Sequence, residues 1–111
     1  MIIFSSDIGP ENTYPKRMQL HKHDSNHMLR GGKRDIYDGG HRVPFLISWP
    51  KGIKGGQKYD QPVNQLDLVA TLADLLGDKL GKAEAEDSVS FASVLRKQTP
   101  VKRLAMIHQS A

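Results

Sequence analysis

Val43-Pro44-Phe45-Leu46-Ile47-Ser48-Trp49-Pro50 is an apolar run closed by a proline, and it is the stretch that decides the fold class. Such a run reads as a strand covered on both faces, as in a parallel sheet. Downstream, Leu66, Val69, Ala70, Ala73 and Leu76 recur at helical spacing, with Leu68, Leu72 and Leu75 widening the stripe. Asn64 is placed to cap this helix and Gly77 to stop it. So wide a stripe predicts a helix packed on a sheet as core. Upstream, Met1 to Ser6 is a second short β-prone run, ended by Asp7 and Gly9-Pro10.

The remaining elements are shorter. Glu11 to Asp35 is polar, His-rich and without sustained periodicity, which predicts a long irregular loop with at most a helical turn near Lys16 to Leu20. Gly39-Gly40 predicts a tight turn into the strand. Asp78 to Asp87 reads as an acidic linker, Phe91 to Lys97 as a short helix capped by Ser90, and Leu104 to His108 as a third strand. Strand, loop, strand, helix, helix, strand is an α/β pattern.

Composition narrows the chemistry. With 111 residues there is room for one compact domain. No cysteine is present, so disulfides, thiolate zinc sites and a cysteine nucleophile are excluded within these residues. No apolar run approaches the length of a membrane span. The net charge of +4 is unevenly spread: ten of the sixteen Lys and Arg lie between Lys16 and Lys58, against three acids. A local positive field of that kind suits an anionic partner such as sulfate, phosphate or nucleic acid, or it is simply a solvated basic loop. Only Tyr37, Phe45 and Trp49 are aromatic there, too few and too buried in expectation for base stacking, so nucleic acid is not expected. His21, His23 and His27 lack a fourth ligand at zinc-site spacing and read as a polar loop.

Three positions carry candidate chemistry. Asp7 ends a strand, where a carboxylate can hold a hard cation or merely form a turn. Lys33 follows two glycines, Gly31 and Gly32, that let backbone and cation approach an anion. Arg42 follows Asp38-Gly39-Gly40-His41 and can clamp an oxyanion or pin the turn.

These segments together resemble a known family. Phe4-Ser5-Ser6-Asp7-Ile8-Gly9-Pro10-Glu11 is similar to the sulfatase motif T-S-D-N-G-P-E, and Leu29-Arg30-Gly31-Gly32-Lys33 through Asp38-Gly39-Gly40-His41-Arg42-Val43-Pro44 resembles L-R-G-x-K-x-x-x-x-E-G-G-x-R-V-P. Trp49-Pro50, Asp67 to Leu72 and Asp87 to Phe91 follow in the family's order, and the subtype looks nearest to the arylsulfatases. The resemblance implies a partial alkaline-phosphatase-like α/β sheet with flanking helices and hydrolysis of sulfate monoesters, small molecules or sulfated glycans. It implies Asp7 as a calcium ligand and Lys33 as the sulfate-binding lysine, with Asp38, His41 and Arg42 in support. It also implies a formylglycine nucleophile made from a C/S-x-P-x-R motif, and a periplasmic, secreted or lysosomal setting.

The departures matter as much. No C/S-x-P-x-R occurs in the chain, so it reads as the C-terminal portion of a sulfatase domain, with a site loop over residues 7–42 and a strand-helix-helix-strand segment over 43–108. On that reading the 111 residues alone are not expected to turn over substrate. Ile8 stands where the family has asparagine and offers no oxygen to calcium, which predicts weakened binding. Asp38 replaces the family's glutamate. The alternatives are a phosphoesterase of the same superfamily, or a non-catalytic module binding anions or glycans.

Overall fold

The computed structural model describes residues 1–97, 99–101, 103 and 105–109. The chain is α/β, with elements β1 (Ile2–Ser5), α1 (Tyr14–His21), α2 (Asp38–His41), β2 (Phe45–Ser48), α3 (Asp67–Leu76) and α4 (Ala92–Lys97). β1 and β2 pair in a two-stranded sheet. The chain forms two units: Met1–Ile47 with the described residues from Ile107 onward, and Ser48–Met106.

In the first unit both strands fall where the apolar runs predict. The two-sided burial expected of β2 is not found: Leu46 is exposed while Phe45 and Ile47 are half-buried, and in β1 Ile2 and Phe4 are exposed beside a half-buried Ile3. With only two strands, no second layer is available on that face within the unit. The segment read as irregular holds a full helix. α1 begins with Pro15 in its first turn, where a missing N–H costs nothing, and ends at Lys22 in the left-handed region, whose N–H reaches the Met18 carbonyl at 3.0 Å. None of its residues is buried, which is why no periodicity marked it. The Gly39-Gly40 turn is instead one helical turn, α2, with both glycines buried. The third strand expected from Leu104 to His108 is not formed: residues 105–108 are irregular, and Leu104 lies outside the described residues.

In the second unit, Asn64 does start the helix, through a turn that delays regular α3 to Asp67. Its Oδ1 accepts the Leu66 N–H at 3.1 Å, and its own N–H donates to Asp67 Oδ2 at 2.7 Å, a reciprocal cap. Gly77 ends the helix at φ 76°, with the Asp78 N–H on the Ala73 carbonyl at 2.9 Å. The face that α3 buries is polar, contrary to the core expectation. Asp67 and Thr71 are 1% exposed, whereas Leu66, Val69, Leu72 and Leu76 are open. The reason is the strap that crosses it. Ser88 Oγ accepts the Ala70 N–H (3.0 Å) and donates to the Leu66 carbonyl (2.7 Å); the Val89 N–H donates to Asp67 Oδ1 (2.9 Å) and the Phe91 N–H to Thr71 Oγ1 (3.0 Å). Arg103 closes an ion pair on the same Asp67 oxygen. Ser90 accepts the Ala92 N–H at 3.2 Å and so starts α4, whose Val94, with Phe91 and Ala92, supplies the buried apolar residues.

Candidate functional site

The first unit is built by close backbone approach at glycines. The Gly9 N–H donates to the Gly40 carbonyl at 2.9 Å, and a Cβ on Gly9 would overlap the Gly39 carbonyl oxygen. A Cβ on Gly39 would overlap the Asn26 amide and the Gly31 carbonyl, and one on Gly40 the Asp35 carbonyl. Glycine is therefore required at this crossing for space, and Gly31 also for its φ of 81°. The effect is to dock the 29–40 segment on the turn that follows β1, where the Lys33 N–H donates to the Pro10 carbonyl at 2.8 Å; within the segment the Gly39 N–H donates to the Arg30 carbonyl at 2.8 Å.

Asn26 holds the other side of this loop. It is 5% exposed, and its amide donates to the Leu29 carbonyl at 2.9 Å and to the Gly31 carbonyl. Asp35 Oδ2 accepts the Gly32 N–H at 2.8 Å, and the Arg30 guanidinium stacks 3.7 Å over the Tyr37 ring. The Lys33 loop is thus fixed from within.

The predicted site residues fall into three places. Lys33 projects from that loop, its side chain 33% exposed, with Nζ 3.5 Å from Glu11 Oε2. Arg34 Nη1 is 3.9 Å from Glu11 Oε1, and the Asn12 N–H donates to the same oxygen at 3.0 Å. That backbone N–H first, then the Lys33 and Arg34 charges, hold the Glu11 carboxyl below the usual carboxylate range, against a partial desolvation that acts the other way. Asp7 sits at the end of β1 on the exposed turn. Asp38 and Arg42 pair with each other at 3.6 Å, one helical turn apart. His41 Nε2 lies 3.0 Å from the Ile36 carbonyl, and its ring stacks at 3.9 Å on His108, 11° from parallel. Burial first, then His41, hold His108 below its ordinary value, while Asp38 pulls the other way.

Sequence reasoning passed over Glu11, Asn26 and His108. Glu11 had a signal, since it closes the first motif. Asn26 and His108 had none, because a lone polar residue, whether in a polar segment or at the end of an apolar run, is silent until its partners are known.

The donor set does not by itself make a calcium site. Calcium takes six to eight oxygen ligands, and this turn offers the Asp7 carboxylate beside the apolar Ile8. Among the described residues no group of three or more His, Asp or Glu is arranged to hold a metal. Ile8 instead faces an open groove of about 450 Å³, together with Leu29, Val43 and Pro44.

An α/β unit with a glycine-built, basic loop docked on an acidic strand-end turn defines a candidate anion-handling chain. The comparisons with known proteins specify which. The sulfatase family model matches residues 1–78. Human steryl-sulfatase is 37% identical over 81 residues, covering 72% of this chain and 14% of that protein. Human arylsulfatase A is 38% identical over 80 residues, 72% of this chain and 15% of its own length. N-acetylgalactosamine-6-O-sulfatase of Bacteroides thetaiotaomicron is 32% identical over 114 residues, 99% of this chain and 22% of its length. The chain belongs to the sulfatase family. It spans between about one seventh and one fifth of the length of these relatives. No solved structure gives a significant match.

Proposed function

We propose that this chain forms the sulfate-facing part of a sulfuric ester hydrolase with the alkaline-phosphatase-like fold. Lys33 is the residue that grips the sulfate group and Asp7 one of the oxygen ligands of a calcium ion. The observation that supports this reading is the docking of the Lys33 loop on the Asp7 to Glu11 turn, through the Gly9–Gly40 and Lys33–Pro10 backbone bonds. It brings the two family motifs into one unit at positions 33 and 7, where an ammonium and a carboxylate are both open to solvent.

The chemistry follows from the groups present. An ammonium on a fixed loop neutralises charge on the non-bridging sulfate oxygens and continues to do so as the S–O bond breaks. Lys33 acts here as an electrostatic clamp and not as nucleophile, its Nζ paired to Glu11. A formylglycine nucleophile has no precursor motif in these residues and would be supplied by residues outside them. Calcium, when bound, supplies further positive charge at the sulfate. Asp7 contributes one ligand, and Ile8 leaves the adjacent position without an oxygen. Asp38, His41 and Arg42 act in support: α2 carries Gly39 and Gly40 into the crossing, and the Asp38–Arg42 pair and the His41 hydrogen bond hold that turn.

The test is a titration of the chain with inorganic sulfate, followed by NMR and matched in ionic strength with chloride. A saturable response at residues 31–34, lost in Lys33→Ala, is expected. An equal response in Lys33→Ala refutes the assignment. No turnover of a chromogenic aryl sulfate is expected from the chain by itself, and turnover above the Lys33→Ala background would contradict the reading that these residues lack the nucleophile.

A further inference from the structure

Glu11 stands in an unusual relation to Lys33. Its Oε1 is tied down by the Asn12 N–H at 3.0 Å, a local bond that does not depend on either cation. The carboxylate is therefore held in place, with Oε2 toward Lys33 at 3.5 Å and Oε1 toward Arg34 at 3.9 Å. Lys33 is tied to the same turn by its own N–H on the Pro10 carbonyl, one residue before Glu11. The ammonium carries three donor hydrogens, and one carboxylate leaves others for a ligand. Any anion that reaches Lys33 thus arrives beside a fixed negative charge that it does not displace.

We infer that Glu11 is a specificity-determining residue for the Lys33 anion site, favouring singly charged sulfate esters over doubly charged phosphate esters. This rests on the reading of Lys33 as the sulfate-binding lysine. The physics is simple: repulsion between the Glu11 carboxylate and the ligand scales with ligand charge, whereas loop placement affects both ligands alike. A sulfate monoester carries one negative charge. A phosphate monoester carries nearly two above its second pKa of about 6. For a half-exposed pair the interaction is screened by solvent, to roughly one-and-a-half- to fivefold in affinity per unit of ligand charge. Removing the carboxylate therefore helps the dianion by about the square of the factor by which it helps the monoanion. A residue that merely shaped the loop would shift both affinities together, and downward.

The experiment titrates the full 111-residue chain with methyl sulfate and with methyl phosphate at pH 8 and low, matched ionic strength, reading the amides of residues 31–34. In Glu11→Gln, both esters bind more tightly than in the wild type. The phosphate gain is expected to exceed the sulfate gain by about one-and-a-half- to fivefold, and to shrink as sodium chloride is added. Glu11→Asp keeps the charge, so its phosphate-to-sulfate ratio stays closer to wild type than that of Glu11→Gln. An unchanged ratio in Glu11→Gln, or a ratio in Glu11→Asp equal to that of Glu11→Gln, overturns the inference while leaving Lys33 in place. If neither ester gives a response that Lys33→Ala removes, the Lys33 reading itself fails, and the inference fails with it.

Discussion

Replacing Asp67 by alanine should nearly unfold the second unit, although the residue touches no candidate site. Its carboxylate accepts the N–H of Asn64 at 2.7 Å and of Val89 at 2.9 Å, and pairs with Arg103. The Asp67 side chain is 2% exposed and that of Arg103 13%. Alanine removes all three contacts and leaves the guanidinium enclosed and unpaired, with its Nε already lacking a hydrogen-bond partner. Removing one partner of a buried pair costs about 3–5 kcal/mol. The orphaned Val89 N–H adds about 1 kcal/mol or more where water cannot reach it. A loss of about 4–6 kcal/mol is a large share of the stability of a small domain, whose total is about 5–15 kcal/mol. Urea denaturation at pH 7, followed by the fluorescence of the single Trp49, measures it. With a slope near 1–2 kcal/mol per molar, the midpoint should fall by roughly 2–6 M. Arg103→Met in the Asp67→Ala background should recover part of that loss by removing the stranded charge. A midpoint shift under about 0.5 M for Asp67→Ala, or further loss in the double variant, would refute the reasoning.

Other expectations concern the first unit. Gly39→Ala forces a methyl into the Asn26 amide and two carbonyls, so it should cost about 3 kcal/mol or more and abolish the anion response at Lys33, seen by amide dispersion and the sulfate titration. Ile8→Asn should strengthen calcium binding measured by calorimetry, and tight binding by the unaltered chain that Asp7→Ala removes would contradict the role given to Ile8. Stability should fall as pH drops below the ordinary imidazole value of 6.5, because His108 is held below that value and the unfolded chain takes up its proton first. The loss is complete only below the folded value, and His108→Phe, which keeps a ring on His41, should flatten it in urea titrations between pH 7.5 and 5. Glu11 behaves in the usual carboxylate sense: its contribution is present above the ordinary range and lost as pH falls through the lowered folded value.

The sequence made the strands legible because β1 and β2 are continuous apolar runs, and α3 because its period is 3.6 and Gly77 ends it. α1 was legible only as a helical turn near Lys16 to Leu20, because a helix without a buried face leaves no stripe from which to read its full extent. The sense of α3's burial was misjudged for a related reason. Period reports which residues share a face, but the strap at Ser88 to Phe91 decides which face is covered, and its hydrogen bonds to Asp67 and Thr71 span about twenty residues. At the candidate site, motif resemblance marked Asp7 and Lys33. The packing reason for the motif glycines, and the carboxylate that accompanies Lys33, became visible only with Gly9, Gly39 and Gly40 in contact. The third strand read from Leu104 to His108 is absent over the described residues 105–108, where the backbone is irregular.

The central claim is that Lys33 is the point at which this sulfatase-family chain meets a sulfate group. Crystals of the chain soaked in selenate, a sulfate analogue with a strong anomalous signal, test it most directly. The account predicts an anomalous peak within hydrogen-bonding distance of the Lys33 ammonium, and none there in Lys33→Ala crystals. Selenate bound only elsewhere, with the Lys33 ammonium free of it, would contradict the account.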